Sequence, residues 1–96
     1  MVMAVMASAR PAEAHARLQS SDPRAGATVH QPPTAITLRF SQPPDVAISS
    51  VEVVDTEGRS FTAATPEPAP GEDERVFVPL RPLAAGVHVV NWRTVS

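Results

Sequence analysis

Thr34-Ala35-Ile36-Thr37-Leu38-Arg39-Phe40-Ser41 is the stretch on which the fold turns. Ile36, Leu38 and Phe40 alternate with Thr37 and Arg39. Successive side chains of a strand point to opposite faces, so this period of two puts the large apolar groups on one side. The pattern predicts a half-buried strand, ended by Pro43-Pro44-Asp45. Beyond it, Ile48–Asp55 reads as a strand rich in Val and Ser, and Thr56-Glu57-Gly58 as a tight turn into a strand over Arg59–Ala63. Thr65–Glu74 holds three prolines and one glycine and reads as a surface loop. Arg75–Leu80 is predicted to be a strand, with Pro79 marking a sheet edge or a strand end. Leu83-Ala84-Ala85-Gly86 turns the chain into a last strand, Val87–Val95, in which Val90 and Trp92 share a face and His88 is in phase with them. On the N-terminal side, Ala16–Ser20 reads as a short first strand and Ser21–Gly26 as a turn. Thr28–His30 is a brief extended piece before Pro32-Pro33.

Eleven scattered prolines oppose a helical fold, and no window of a dozen residues beyond Ala14 shows a clean 3.6-residue period. Short strands separated by Pro/Gly turns predict an all-β protein, an antiparallel β-sandwich.

Composition excludes several function classes. The formal net charge is −2, with eight Lys+Arg (all arginine) against ten acids. There is no basic stripe, which removes the electrostatic basis for binding nucleic acid. Cysteine is absent, so thiolate metal sites and thiol catalysis are excluded and core packing alone must hold the fold. Ser20-Ser21 and Ser49-Ser50 have no base at an interpretable spacing and no Gly-x-Ser-x-Gly elbow. The four glycines are isolated, so no phosphate-cradling loop exists. The expectation is a protein that is not an enzyme.

The N-terminus carries the functional signal. Met1–Ala7 is an apolar run, far short of the about 20 residues needed to span a bilayer. Ala12-Glu13-Ala14 follows as a small-x-small cleavage site. Residues 1–14 are therefore expected to be an export signal, atypical in having no positive charge before Arg10. The competing reading is an Ala-rich tail on a cytosolic protein. Cleavage after Ala14 would make His15 the first residue of a domain spanning 15–96. A free α-amine with a reference pKa of about 7.7 can join the ring Nδ1 in a chelate, because a metal displaces its proton near neutral pH. Nitrogen pairs of this kind suit Cu(II). If cleavage falls elsewhere, His15 is an ordinary loop histidine.

The stretch His15-Ala-Arg-Leu-Gln-Ser-Ser-Asp-Pro-Arg-Ala-Gly-Ala-Thr-Val resembles the opening of the mature chain in the CopC family of bacterial copper-resistance proteins. Ile36-Thr-Leu-Arg-Phe-Ser-Gln-Pro is similar to that family's second signature strand, and Val51–Gly58 to the strand and turn after it. Val78-Pro-Leu-Arg-Pro-Leu-Ala-Ala-Gly and Val90-Asn-Trp-Arg-Thr-Val-Ser resemble its Pro-Leu turn and Trp-Arg strand. The resemblance implies an immunoglobulin-like, Greek-key sandwich that binds Cu(II) in the periplasm or otherwise outside the cytoplasm. It implies a carrier that serves copper homeostasis or resistance and supplies a membrane copper importer or another copper-handling protein. Of the family's ligands only the first maps here, onto His15. An Asp and a second His usually follow in a Ser-x-Asp-x-His segment, which should begin at Ser96. The resemblance thus implies a sandwich without its final strand and an incomplete copper site. The alternative it leaves is an immunoglobulin-like structural or interaction module that has lost metal binding. All three methionines, Met1, Met3 and Met6, fall in the expected signal, so no Met-rich Cu(I) site maps onto this chain.

The other candidates have plainer readings. His30 is expected to be an exposed loop residue and His88 a partly buried packing residue. No two histidines show ligand spacing. Trp92 is expected in the core, Asp22 and Asp45 in turns beside proline, and Glu72-Asp73-Glu74 in solvent.

Overall fold

The computed structural model describes residues 2–7, 16–46 and 49–94. Among the described residues, seven strands account for the regular structure: β1 (Val2–Ala7), β2 (Leu18–Asp22), β3 (Ala35–Phe40), β4 (Ser50–Asp55), β5 (Glu67–Ala69), β6 (Glu72–Pro79) and β7 (Val87–Arg93). They form two sheets, one ordered β1-β7-β4 and the other β2-β3-β6-β5. Every pairing among β2 to β7 is antiparallel, as the sequence predicts, whereas β1 lies parallel to β7.

The alternation in β3 works as expected. Ile36, Leu38 and Phe40 are buried, and β6 answers with Val76 and Val78 from the same inner face. Val51 and Val53 of β4 and Val90 and Trp92 of β7 come from the opposite sheet, and all of these residues belong to one hydrophobic cluster. The cluster is therefore the filling of a sandwich. Phe40 and Trp92 meet across it edge to face, with ring centroids 5.4 Å apart. Burying each of these aliphatic and aromatic groups is worth about 1.5–3 kcal/mol.

Two expectations need correction. Thr65–Glu74 is not a loop: Glu67–Ala69 and the start of β6 form a hairpin through Pro70 and Gly71. Pro68 is tolerated because β5 is an edge strand, where a missing N–H costs no ladder bond, and Gly71 supplies the positive φ of 77° that the turn needs. Arg59–Ala63 is not a continuous strand. It touches β4 through a bridge between Ser60 and Val54, and Leu80 through a bridge from Thr62. Thr28–His30, read as a brief extended piece, holds an isolated β-bridge at Thr28. Pro79 marks the end of β6, which is an inner strand and not an edge.

The turn into Arg59–Ala63 is built by Asp55. Its Oδ1 accepts the backbone N–H groups of Glu57 and Arg59, each at 2.9 Å, and its Oδ2 accepts Arg59 Nε at 2.8 Å. Desolvation raises the Asp55 carboxyl pKa. The Arg59 N–H and side chain and the Glu57 N–H outweigh that, and hold it below the ordinary carboxylate value.

Candidate metal centre

The chain runs into β2 from Ala16, which is 1% exposed. Two contacts fix it there, one to each sheet. The Thr94 hydroxyl, just beyond β7, donates to the Ala16 carbonyl at 3.2 Å. Arg17 and Ser41, just beyond β3, clasp each other. Ser41 N–H donates to the Arg17 carbonyl at 2.8 Å, and Arg17 N–H donates to Ser41 Oγ at 3.0 Å. The clasp extends the β2–β3 ladder, in which Leu18 pairs with Phe40. Thr94 is 2% exposed and lies two residues beyond Trp92 on the same face of the chain. Residues 16 and 17 therefore straddle the two sheets at one end of the sandwich, the end floored by the Phe40–Trp92 pair.

His15, the predicted ligand, lies outside the described residues, as does the Ala12-Glu13-Ala14 cleavage site. The other histidines are not brought to this end as a ligand set. His30 is exposed. His88 is 1% exposed and packs edge-on against Phe61, with centroids 5.2 Å apart and ring planes at 84°. Its burial is complete where the sequence reading expects a partial one. Its Nδ1 has no hydrogen-bond partner. Among the described residues no three His, Cys, Asp or Glu side chains gather as a metal site.

The acids take structural places. Asp22 is an exposed strand end, and the Asp45 carbonyl accepts the N–H and the hydroxyl of Ser49 at 2.9 and 2.7 Å. Glu72 pairs with Arg75 at 3.2 Å. Sequence reasoning missed the Thr94 and Ser41 anchors. Both are ordinary hydroxyl residues at strand ends, and their partners are distant in the chain, so no local spacing marks them.

Known proteins share this fold. A family model described as the CopC domain matches residues 18–96. A curated relative, copper resistance protein C of Escherichia coli, is 37% identical over 99 residues, covering 96% of this chain and 78% of that protein. Protein YobA of Escherichia coli (strain K12) is 30% identical over 84 residues, covering 86% of this chain and 68% of that protein. Among solved structures, CopC from Methylosinus trichosporium OB3b superimposes with a TM-score of 0.77 at 26% identity, over 85% of this chain and 79% of that one. PcoC, a methionine-rich copper resistance protein from Escherichia coli, gives 0.67 at 33% identity, over 86% and 85%. The sandwich, its order of motifs and the domain match over residues 18–96 place this chain in the CopC family.

Proposed function

We propose that this protein is an exported copper carrier. Residues 1–14 act as its leader, and cleavage after Ala14 frees the α-amine of His15. The amine and the ring Nδ1 then chelate Cu(II), which is cargo and not a catalytic centre. Two nitrogens leave coordination positions for water or for a receiving protein, so the ion can pass on by ligand exchange. A membrane copper importer or another copper-handling protein is the expected recipient.

One observation carries this reading: Ala16 is tied to Thr94 and its neighbour Arg17 to Ser41. A chelating residue at the tip of a loose tail would lose much conformational freedom on binding metal. Here the residue after it is already held, which lowers that cost. The kinship with copper resistance protein C supports the choice of copper. Intact mass of the protein recovered from outside the cytoplasm tests the processing. The reading predicts a chain that starts at His15, and a start anywhere else removes the amine–imidazole pair.

A further inference from the structure

β4 is an outer strand of its sheet, and its own chain covers only part of that edge. The Asp55 N–H donates to the Arg59 carbonyl at 3.0 Å, the Phe61 N–H to the Val53 carbonyl at 2.7 Å, and the Val53 N–H to Thr62 Oγ1 at 3.0 Å. Val53 and Asp55 thus turn backbone groups outward, away from β7. Such groups alternate between the two sides of a strand, so Val51 turns its N–H and C=O outward as well. By then the covering segment has left. Thr62 bridges Leu80, the Ala63 N–H donates to the Pro79 carbonyl at 2.9 Å, and the Arg81 N–H to the Phe61 carbonyl at 2.7 Å. Among the described residues no backbone group meets Val51 on its outward side.

A hollow of about 360 Å³ stands there instead, at the small end of ligand sites. Ser50, Val51 and Glu52 line one side of it, and residues 62–66, all small or hydroxylated, line the other. Glu52 is the one charged residue among the described residues of its lining. It is exposed, and it takes part in none of the ion pairs among the described residues. Ser50 and Glu52 lie on the outer face of β4, and Val51 on the buried face.

We propose that this open part of β4 takes an extended segment of a partner protein as an added strand, with a basic residue set beside Glu52. In an antiparallel pairing the central residue of the segment exchanges both backbone bonds with Val51. Its side chain falls on the same face as that of Val51, which suits an apolar group of modest size. The residue before it stands opposite Glu52 on the outer face, where Lys or Arg pairs with the carboxylate. β4 of a second copy fits less well, because Ser60 and Thr62 of that copy cover the edge it would present. The inference rests on neither copper nor export, so the carrier reading can fail independently.

The test is a titration of the full chain with a blocked peptide, acetyl-Ser-Lys-Val-Ser-Gly-amide, followed by amide NMR. A twin with Glu in place of Lys is the control. The Lys peptide should shift the Val51 and Glu52 amides and slow deuterium exchange at Val51. The Glu twin should bind about five-fold more weakly. Glu52→Gln should level the two and Glu52→Lys should invert their order, with Trp92 emission confirming the fold of each variant. Equal binding of the twins by the native protein would overturn the proposal, as would an order that Glu52→Lys leaves unchanged. So would a Val51 amide unmoved at the highest peptide concentration. A Val51 amide that already exchanges slowly in the free protein would overturn it too, since the edge would then be covered, by a second copy if sedimentation shows a dimer and by the chain itself if it shows a monomer.

Discussion

Thr94 reaches back across 78 residues of chain to donate its hydroxyl to the carbonyl of Ala16, and both residues are buried. The bond ties the stretch leading into β2 to the residue just beyond β7. On the opposite sheet the Arg17–Ser41 clasp does the same, so the stretch is held from two sides. Ala16 and Arg17 are thus held by residues just beyond β7 and β3.

Thr94→Val keeps the shape of the side chain and removes the donor. A buried hydrogen bond contributes about 1 kcal/mol. If that energy holds the chelating end in place, its loss weakens Cu(II) binding about five-fold. Thr94→Ser should bind as the native protein does. Calorimetric titration of the form starting at His15 reads both, and equal affinity in all three would show that the anchor serves the fold alone.

The Phe40–Trp92 contact closes the core beneath that end. Phe40→Leu should lose the edge-to-face term of about 0.5–1.5 kcal/mol together with some packing. Phe40→Ala should cost about 3–5 kcal/mol. Urea unfolding would show a lower midpoint at an unchanged slope, the mark of lost stability without loss of cooperativity.

His88 buries an imidazole whose Nδ1 has no partner. An unsatisfied buried polar atom costs about 1–3 kcal/mol, so His88→Leu should raise stability by about 1 kcal/mol despite losing the contact with Phe61. Copper binding should not change. A fall in Cu(II) affinity in this variant would make His88 part of the metal site after all.

Asp55 links stability to pH. Its carboxyl is more acidic in the folded protein than in the unfolded chain. It therefore stabilises the fold above the unfolded value of about 3.9, and that contribution is lost as pH falls through the lower folded value. Asp55→Asn should unfold at lower urea than the native protein at neutral pH. The gap should close as the solution is acidified through that window, and a constant gap would contradict the assignment.

The sandwich was legible because its inner rows alternate without interruption: Ile36, Leu38 and Phe40 in β3, Val90 and Trp92 in β7. The hairpin at Glu67–Pro79 was not, because Pro66, Pro68 and Pro70 read locally as loop chemistry, and only the position of β5 at a sheet edge makes Pro68 admissible. Of the candidate site, His15 is a reading of the Ala12-Glu13-Ala14 pattern alone and lies outside the described residues. The anchors of Ala16 and Arg17 were not legible, since Thr94 and Ser41 act through hydrogen bonds to carbonyl and N–H groups that every residue has. The parallel seat of Val2–Ala7 on β7 was equally hidden: an apolar run of that length fits a leader and a strand alike.

The central claim is that His15 binds copper through its own amine. Cu(II) titration followed by EPR, on the protein starting at His15 and on a control with one alanine added before it, tests this most directly. The account predicts tight binding of one ion with nitrogen hyperfine structure, lost in the control. Equally weak binding by both forms would contradict it, and would leave a CopC sandwich whose function lies elsewhere than in an N-terminal chelate.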